Sequence, residues 1–207
     1  MSTIIVLNPC SHETQWLMSL KIKPGVSRIM AAMNKITRLF HQARYGRPYD
    51  IVTLFNWHQS IFQLDNYFNK EIARLTKIIK RRYKDKLLFE PMCGAQYRIK
   101  VSTPPSADFY SLLSKHDTLM CLVEACVALN IFKKRRTLSK KHLIYSKGLL
   151  KLITQIGQYK ISRFTAEGGP LSEKDQGTLS MALQSDVIPV LKKSVFDDLI
   201  AQTAITT

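Results

Sequence analysis

Acidic side chains are scarce in this sequence: 15 Asp and Glu stand against 31 Lys and Arg, a formal charge of +16 over 207 residues. Paired carboxylates for hydrolysis or two-metal chemistry are therefore poorly supplied. Cysteine is sparse as well. Cys10, Cys93, Cys121 and Cys126 form no C-x-x-C pair and have no histidine at zinc-ligand spacing, so reduced thiols are expected and not a disulfide or zinc framework. The histidines, His12, His41, His58, His116 and His142, are dispersed, and none has a second histidine three or four residues on. His116-Asp117 is the one tight pairing of imidazole with acid, and its simplest reading is a neighbour pair on a helix surface.

Signatures that cradle phosphate or present a nucleophile are also missing. There is no G-x-x-x-x-G-K-[ST], no G-x-G-x-x-G and no G-x-S-x-G, and Gly168-Gly169 precedes Pro170 in a stretch composed like a linker. No run reaches the roughly 20 apolar residues of a bilayer span, and the most apolar window, LMCLVEACVALNIF, carries Glu124. The start, MSTIIVLNPCSHET, lacks the basic region of a signal peptide. The expectation is a cytoplasmic, non-enzymatic protein without metal, cofactor or membrane span.

What is present is positive charge, unevenly placed. Residues 18–100 carry 17 bases against 5 acids and residues 101–165 carry 11 against 3, whereas residues 166–207 carry 3 against 6. A field of that size attracts polyanions, and nucleic acid is the leading candidate. The charge divides the chain into an amino-terminal arm (1–16), a basic body (17–165), and a linker with an acidic, amphipathic tail (166–207).

Periodicity predicts a body that is mainly α with a few short β-strands. IIVL near the amino end is compatible with a strand or a loosely held arm. SLKIKP alternates like a strand near 18–23 and is closed by Pro24, and YRIKV alternates near 96–102 before Pro104-Pro105. QYKISRF is a third alternating piece near 158–164. Ile29, Met30, Met33, Ile36, Leu39 and Phe40 lie on one face of a helix running to about Tyr45, ended by Gly46. A second helix, from about Asp50 to Tyr83, would bury Ile51, Leu54, Phe55, Ile61, Phe62, Phe68 and Leu75. A third starts near Ser106, whose hydroxyl suits a cap, and is apolar around most of its circumference after Leu119, as a central helix would be. KKRRTLSKK then leads into LIYSKGLLKLITQI, and TAEGGPLSEKDQG reads as a linker.

Three stretches, MNKITRLFHQARYG, YRIKVSTPPSADFYSLLSKHDTLMCLVEACVALNIF and LIYSKGLLKLITQIGQYKISRFT, resemble a protein family of integrating conjugative elements and conjugative plasmids. Within it the sequence looks most like the AcaB-like transcriptional activators, which resemble ribbon-helix-helix proteins in binding DNA. The resemblance covers about residues 17–165. It implies a ribbon-helix-helix-like element embedded in or joined to the helical body, in which strands from two chains pair and enter the major groove. Ser19, Lys21 and Lys23 would then read bases, with Leu20 and Ile22 pinning the strand from behind; Arg98 and Lys100 on YRIKV are the rival readers. The alternative for both strands is an edge protected from aggregation by its cations.

Phosphate contacts are expected from Arg28 and Arg47, from Lys80, Arg81 and Arg82, and from Lys133, Lys134, Arg135, Arg136, Lys140 and Lys141. The expected function is a double-stranded-DNA-binding regulator, an activator of conjugative-transfer genes working as a homodimer or tetramer, with the acidic tail available to the transcription machinery. The alternative is a non-enzymatic accessory protein of a conjugative element acting through protein contacts.

Overall fold

The structure, a computed structural model, describes residues 3–83, 96–132, 135–159, 171–185 and 187, with the helical backbone alone for 135–143. The first long helix, α2 (Arg28–Ala43), forms where the periodicity places it. Ile29, Ala32, Met33, Ile36, Leu39, Phe40 and Ala43 are buried along one stripe, while Arg28 and Arg38 face water. Gly46, at φ +81°, turns the chain after it, a left-handed conformation that a residue without Cβ adopts at no steric cost.

Pro48, with φ already fixed, opens α3 (Pro48–Tyr83). Its first half is buried broadly. From Ile61 on, Ile61, Phe68 and Leu75 form a seam at seven-residue spacing, so these later turns bury few side chains fully. Phe62 was expected inside with Ile61, yet it is 56% exposed: one residue on, the helix has rotated by about 100° and turned the ring off the seam.

The central helix is α4 (Pro104–Ala128), packed against α2, α3, β4 (Tyr97–Val101), α1 (His12–Ser19) and α5 (Arg135–Gln158). It starts earlier than Ser106. Pro104 and Pro105 occupy its first turn, and the N-cap is Thr103. Ser106 completes a capping box, its Oγ accepting from Thr103 N at 3.0 Å while its own amide donates to Thr103 Oγ1 at 3.4 Å. Thr103→Val keeps the shape and removes that acceptor, so urea unfolding should show a loss of about 1 kcal/mol at unchanged m-value. Ser106→Ala should cost a similar amount, and the double variant little more, because both residues serve one motif.

The end of α5 is held by Lys35 of α2, whose Nζ donates to Gly157 O at 2.6 Å and Tyr159 O at 2.7 Å, taking carbonyls the helix leaves unsatisfied. Burial moves the Lys35 pKa down from its usual value. Tyr159, read as part of a strand, follows α5 directly; its ring packs edge-on against Trp57 and its hydroxyl donates to Asp50 Oδ1 at 3.1 Å. Burial raises the Asp50 pKa, opposed by that hydrogen bond and by Arg47. Residues 160–164 of the third expected strand lie outside the described residues.

Residues 173–177, read as linker from composition, begin α6 (Glu173–Gln184), N-capped by Ser172 and packed on α3 through buried Leu179, Ala182 and Leu183. The tail beyond it, apart from Val187, lies outside the described residues.

Two small antiparallel sheets complete the architecture. β1 (Thr3–Leu7) pairs with β4, setting Thr3 opposite Val101, Ile5 opposite Ile99 and Leu7 opposite Tyr97. The amino-terminal run is therefore a strand, and Leu7, Leu17 and Met18 join the same core as the long helices. β2 (Lys21–Lys23) pairs with β3 (Val26–Ser27) across Pro24-Gly25, Gly25 lying at φ +80°. SLKIKP is thus only partly a strand. Ser19 ends α1, Leu20 is its C-cap, and the three strand residues fold back onto their own chain, with one strand edge paired to Val26–Ser27. Ile22 is 58% exposed and does not pin the hairpin: all three residues of the strand are exposed.

Candidate nucleic-acid interface

Alternation in β4 and pairing with β1 build a face open to solvent. Ile99 and Leu7 point inward with Tyr97 and Val101 packed beside them, which leaves Arg98, Lys100, Ile4 and Val6 on the outer side. The register sets Ile4 opposite Lys100 and Val6 opposite Arg98, so each cation has an aliphatic neighbour across the ribbon. Cross-strand neighbours of this kind lie about 5 Å apart at Cβ.

Both ends of the ribbon are fastened to α4. β4 runs into the Thr103 cap. β1 runs into the turn at Asn8-Pro9, where Asp117 of α4 gathers the chain: it accepts from Cys10 N at 3.0 Å, Ser11 N at 2.9 Å and Ser11 Oγ at 2.7 Å. Ser11 is also the N-cap of α1, so one carboxylate sets the end of β1 and the start of the helix. Beneath it, Ser11 Oγ and Thr14 Oγ1 are 2.8 Å apart, and fully buried His116 bridges Thr14 Oγ1 at 3.0 Å and Ser146 Oγ at 3.2 Å. His116 and Asp117 are therefore not surface neighbours. Apart from Ser146, their partners are more than 100 residues away, at the start of α1 and just before it, a distance no local pattern conveys.

The other predicted site residues are distributed. Lys21 and Lys23 are exposed on the short hairpin, with Arg28 exposed just after it. Ser19 stands apart from them, its Oγ donating to Trp16 O at 2.7 Å within α1. Arg47 lies half-buried before α3, where its charge acts on Asp50. Lys80, Arg81 and Arg82 are exposed in the last turn of α3, complementing the negative end of the helix dipole. Next to them, Tyr83 donates its hydroxyl to Leu129 O at 2.8 Å, which brings this basic turn to the α4–α5 connection. Lys133 and Lys134 in that connection lie outside the described residues, as do the side chains of Arg135, Arg136, Lys140 and Lys141 in the first turns of α5.

A shallow cleft of about 210 Å³ lies between α3 and α4, lined by His58, Ile61, Phe62, Asp65, Asp108, Ser111 and Lys115. Its polar groups meet internally, Lys115 Nζ donating to Asp65 at 2.6 Å and His58 Nε2 lying 3.4 Å from Asp108. Among the described residues no group of three or more His, Cys, Asp or Glu is placed to hold a metal ion, and no helix is long and apolar enough to cross a membrane.

The architecture is that of a mainly helical protein with two small antiparallel sheets, one presenting a basic outer face. Among solved structures it is similar to selenomethionine-containing AcaB from uropathogenic E. coli, at a TM-score of 0.57 and 19% identity, over 98% of this chain and 97% of that one. No protein-family model matches the sequence, and no curated protein matches it.

Proposed function

We propose that this chain is a sequence-specific double-stranded-DNA-binding regulator, an activator of conjugative-transfer genes that works as a homo-oligomer. The observation that carries the reading is the open face of the β1–β4 ribbon, where Arg98 and Lys100 stand clear of the core on a two-stranded element. A ribbon of that width fits the major groove, and arginine and lysine are the side chains that donate to guanine O6 and N7. The formal charge of +16, with the cations of the last turn of α3 and the basic sequence from Lys133 to Lys141, supports it, because positive charge of that size favours contact with phosphate. The AcaB-like fold and the sequence resemblance to activators of conjugative elements point the same way.

The ribbon is a better base reader than the SLKIKP hairpin. It has five paired positions, each end is tied to α4, and its alternate side chains share one plane; Lys21 and Lys23 sit on a three-residue strand suited to gripping phosphate. The accessory-protein reading keeps one observation in its favour, the exposed Phe62 ring at the edge of the α3–α4 cleft.

Footprinting of the purified full chain on promoter fragments from its own genetic element, at moderate salt and with excess competitor DNA, tests the proposal. Protection of a short, palindromic site is the expected result. Uniform, competitor-sensitive binding, or none, would overturn it.

A further inference from the structure

The geometry points to Ile4 and Val6 as direct readers of thymine: we infer that they contact thymine C5-methyl groups in the major groove while Arg98 and Lys100 contact guanine beside them. This rests on the DNA-binding reading and extends it to two residues that are apolar.

Ile4 is 67% exposed and Val6 45%, on a strand whose other side reaches the core. Each is paired across the ribbon with a cation, Ile4 with Lys100 and Val6 with Arg98. A copy of the same chain is a poor occupant for this face: an isologous contact would bring together two copies of a patch whose outward residues include two cations and no acid. The major groove is a good one, because it offers methyl groups and strong acceptors side by side along one surface. The spacing agrees. Alternate residues of a strand are about 6.8 Å apart, and successive base pairs rise about 3.4 Å, so Ile4 and Val6 fall two base steps apart, as do Arg98 and Lys100.

The test uses a duplex enriched by the full chain from a randomised pool, resynthesised with uracil replacing thymine at one position at a time. Uracil pairs as thymine does and lacks only the methyl. Removing a buried methyl should weaken binding about fourfold at one or two positions and nowhere else. The Ile4→Ser/Val6→Ser protein should lose that discrimination while still binding the duplex; both side chains face solvent, and thermal melting checks that the fold is kept. Indifference of the original protein to uracil everywhere, or undiminished discrimination by the variant, overturns the inference and leaves duplex binding standing. A changed sedimentation coefficient in the variant also overturns it, since a second copy would then cover the face. Failure to enrich any duplex overturns the DNA-binding reading itself.

Discussion

Asp117→Ala is expected to lower the unfolding free energy by about 2–4 kcal/mol, a large effect for a half-buried side chain. The carboxylate accepts from two backbone amides and a hydroxyl, Cys10 N, Ser11 N and Ser11 Oγ, and all three lie where β1 gives way to α1. Hydrogen bonds to a charged acceptor contribute about 1.5–3 kcal/mol each at most, and three on one group are not additive. Its negative charge also faces the positive end of α1. Alanine takes the carboxylate away from all three donors and loosens Ser11, on which Thr14 and His116 depend. Asp117→Asn keeps one carbonyl acceptor and should lose about half as much. Urea denaturation measures both, and hydrogen exchange should report faster opening at Leu7 and Leu17 than at Leu75. A loss below about 1 kcal/mol for alanine would mean that water substitutes for the carboxylate.

The same residues show where the sequence stopped being informative. Helix α2 was legible because its apolar positions recur every three or four residues with cations between them, and α3 was legible along its length, Phe68 and Leu75 included. The error at Phe62 came from extending a broad apolar face into a stretch where contact narrows to one seam. α6 was hidden by Gly and Ser, since its cap and buried Leu179, Ala182 and Leu183 carry meaning only once α3 is there to receive them. The Asp117 anchor was invisible for a different reason: its partners are set by how β1 meets α4, not by any spacing along the chain. In the candidate interface, Arg98 and Lys100 stood out because YRIKV alternates. Ile4 and Val6 did not, because Ile4-Ile5-Val6-Leu7 is apolar throughout, and only the pairing with β4 decides which two face outward.

That division of the ribbon sets the second large effect. Replacing Arg98 and Lys100 together by Ala should weaken binding to the enriched duplex by about 100-fold, since each well-placed contact to a base edge contributes about 1–3 kcal/mol. Affinity for unrelated duplexes should fall far less, because most of the positive charge that holds phosphate lies elsewhere. Lys21→Ala/Lys23→Ala should behave in the opposite way. Both lysines are exposed on a short hairpin that presents no plane of alternating side chains, so their loss should lower affinity for all sequences together and reduce the salt slope by about 2. Salt titrations of the original protein and the two double variants on enriched and scrambled duplexes separate the two behaviours. Should the hairpin variant relax sequence preference while the ribbon variant keeps it, the reading strand is SLKIKP. The open face of β1–β4 then has no part in recognition, since its two cations would be felt only through phosphate, at a cost the scrambled duplex shares.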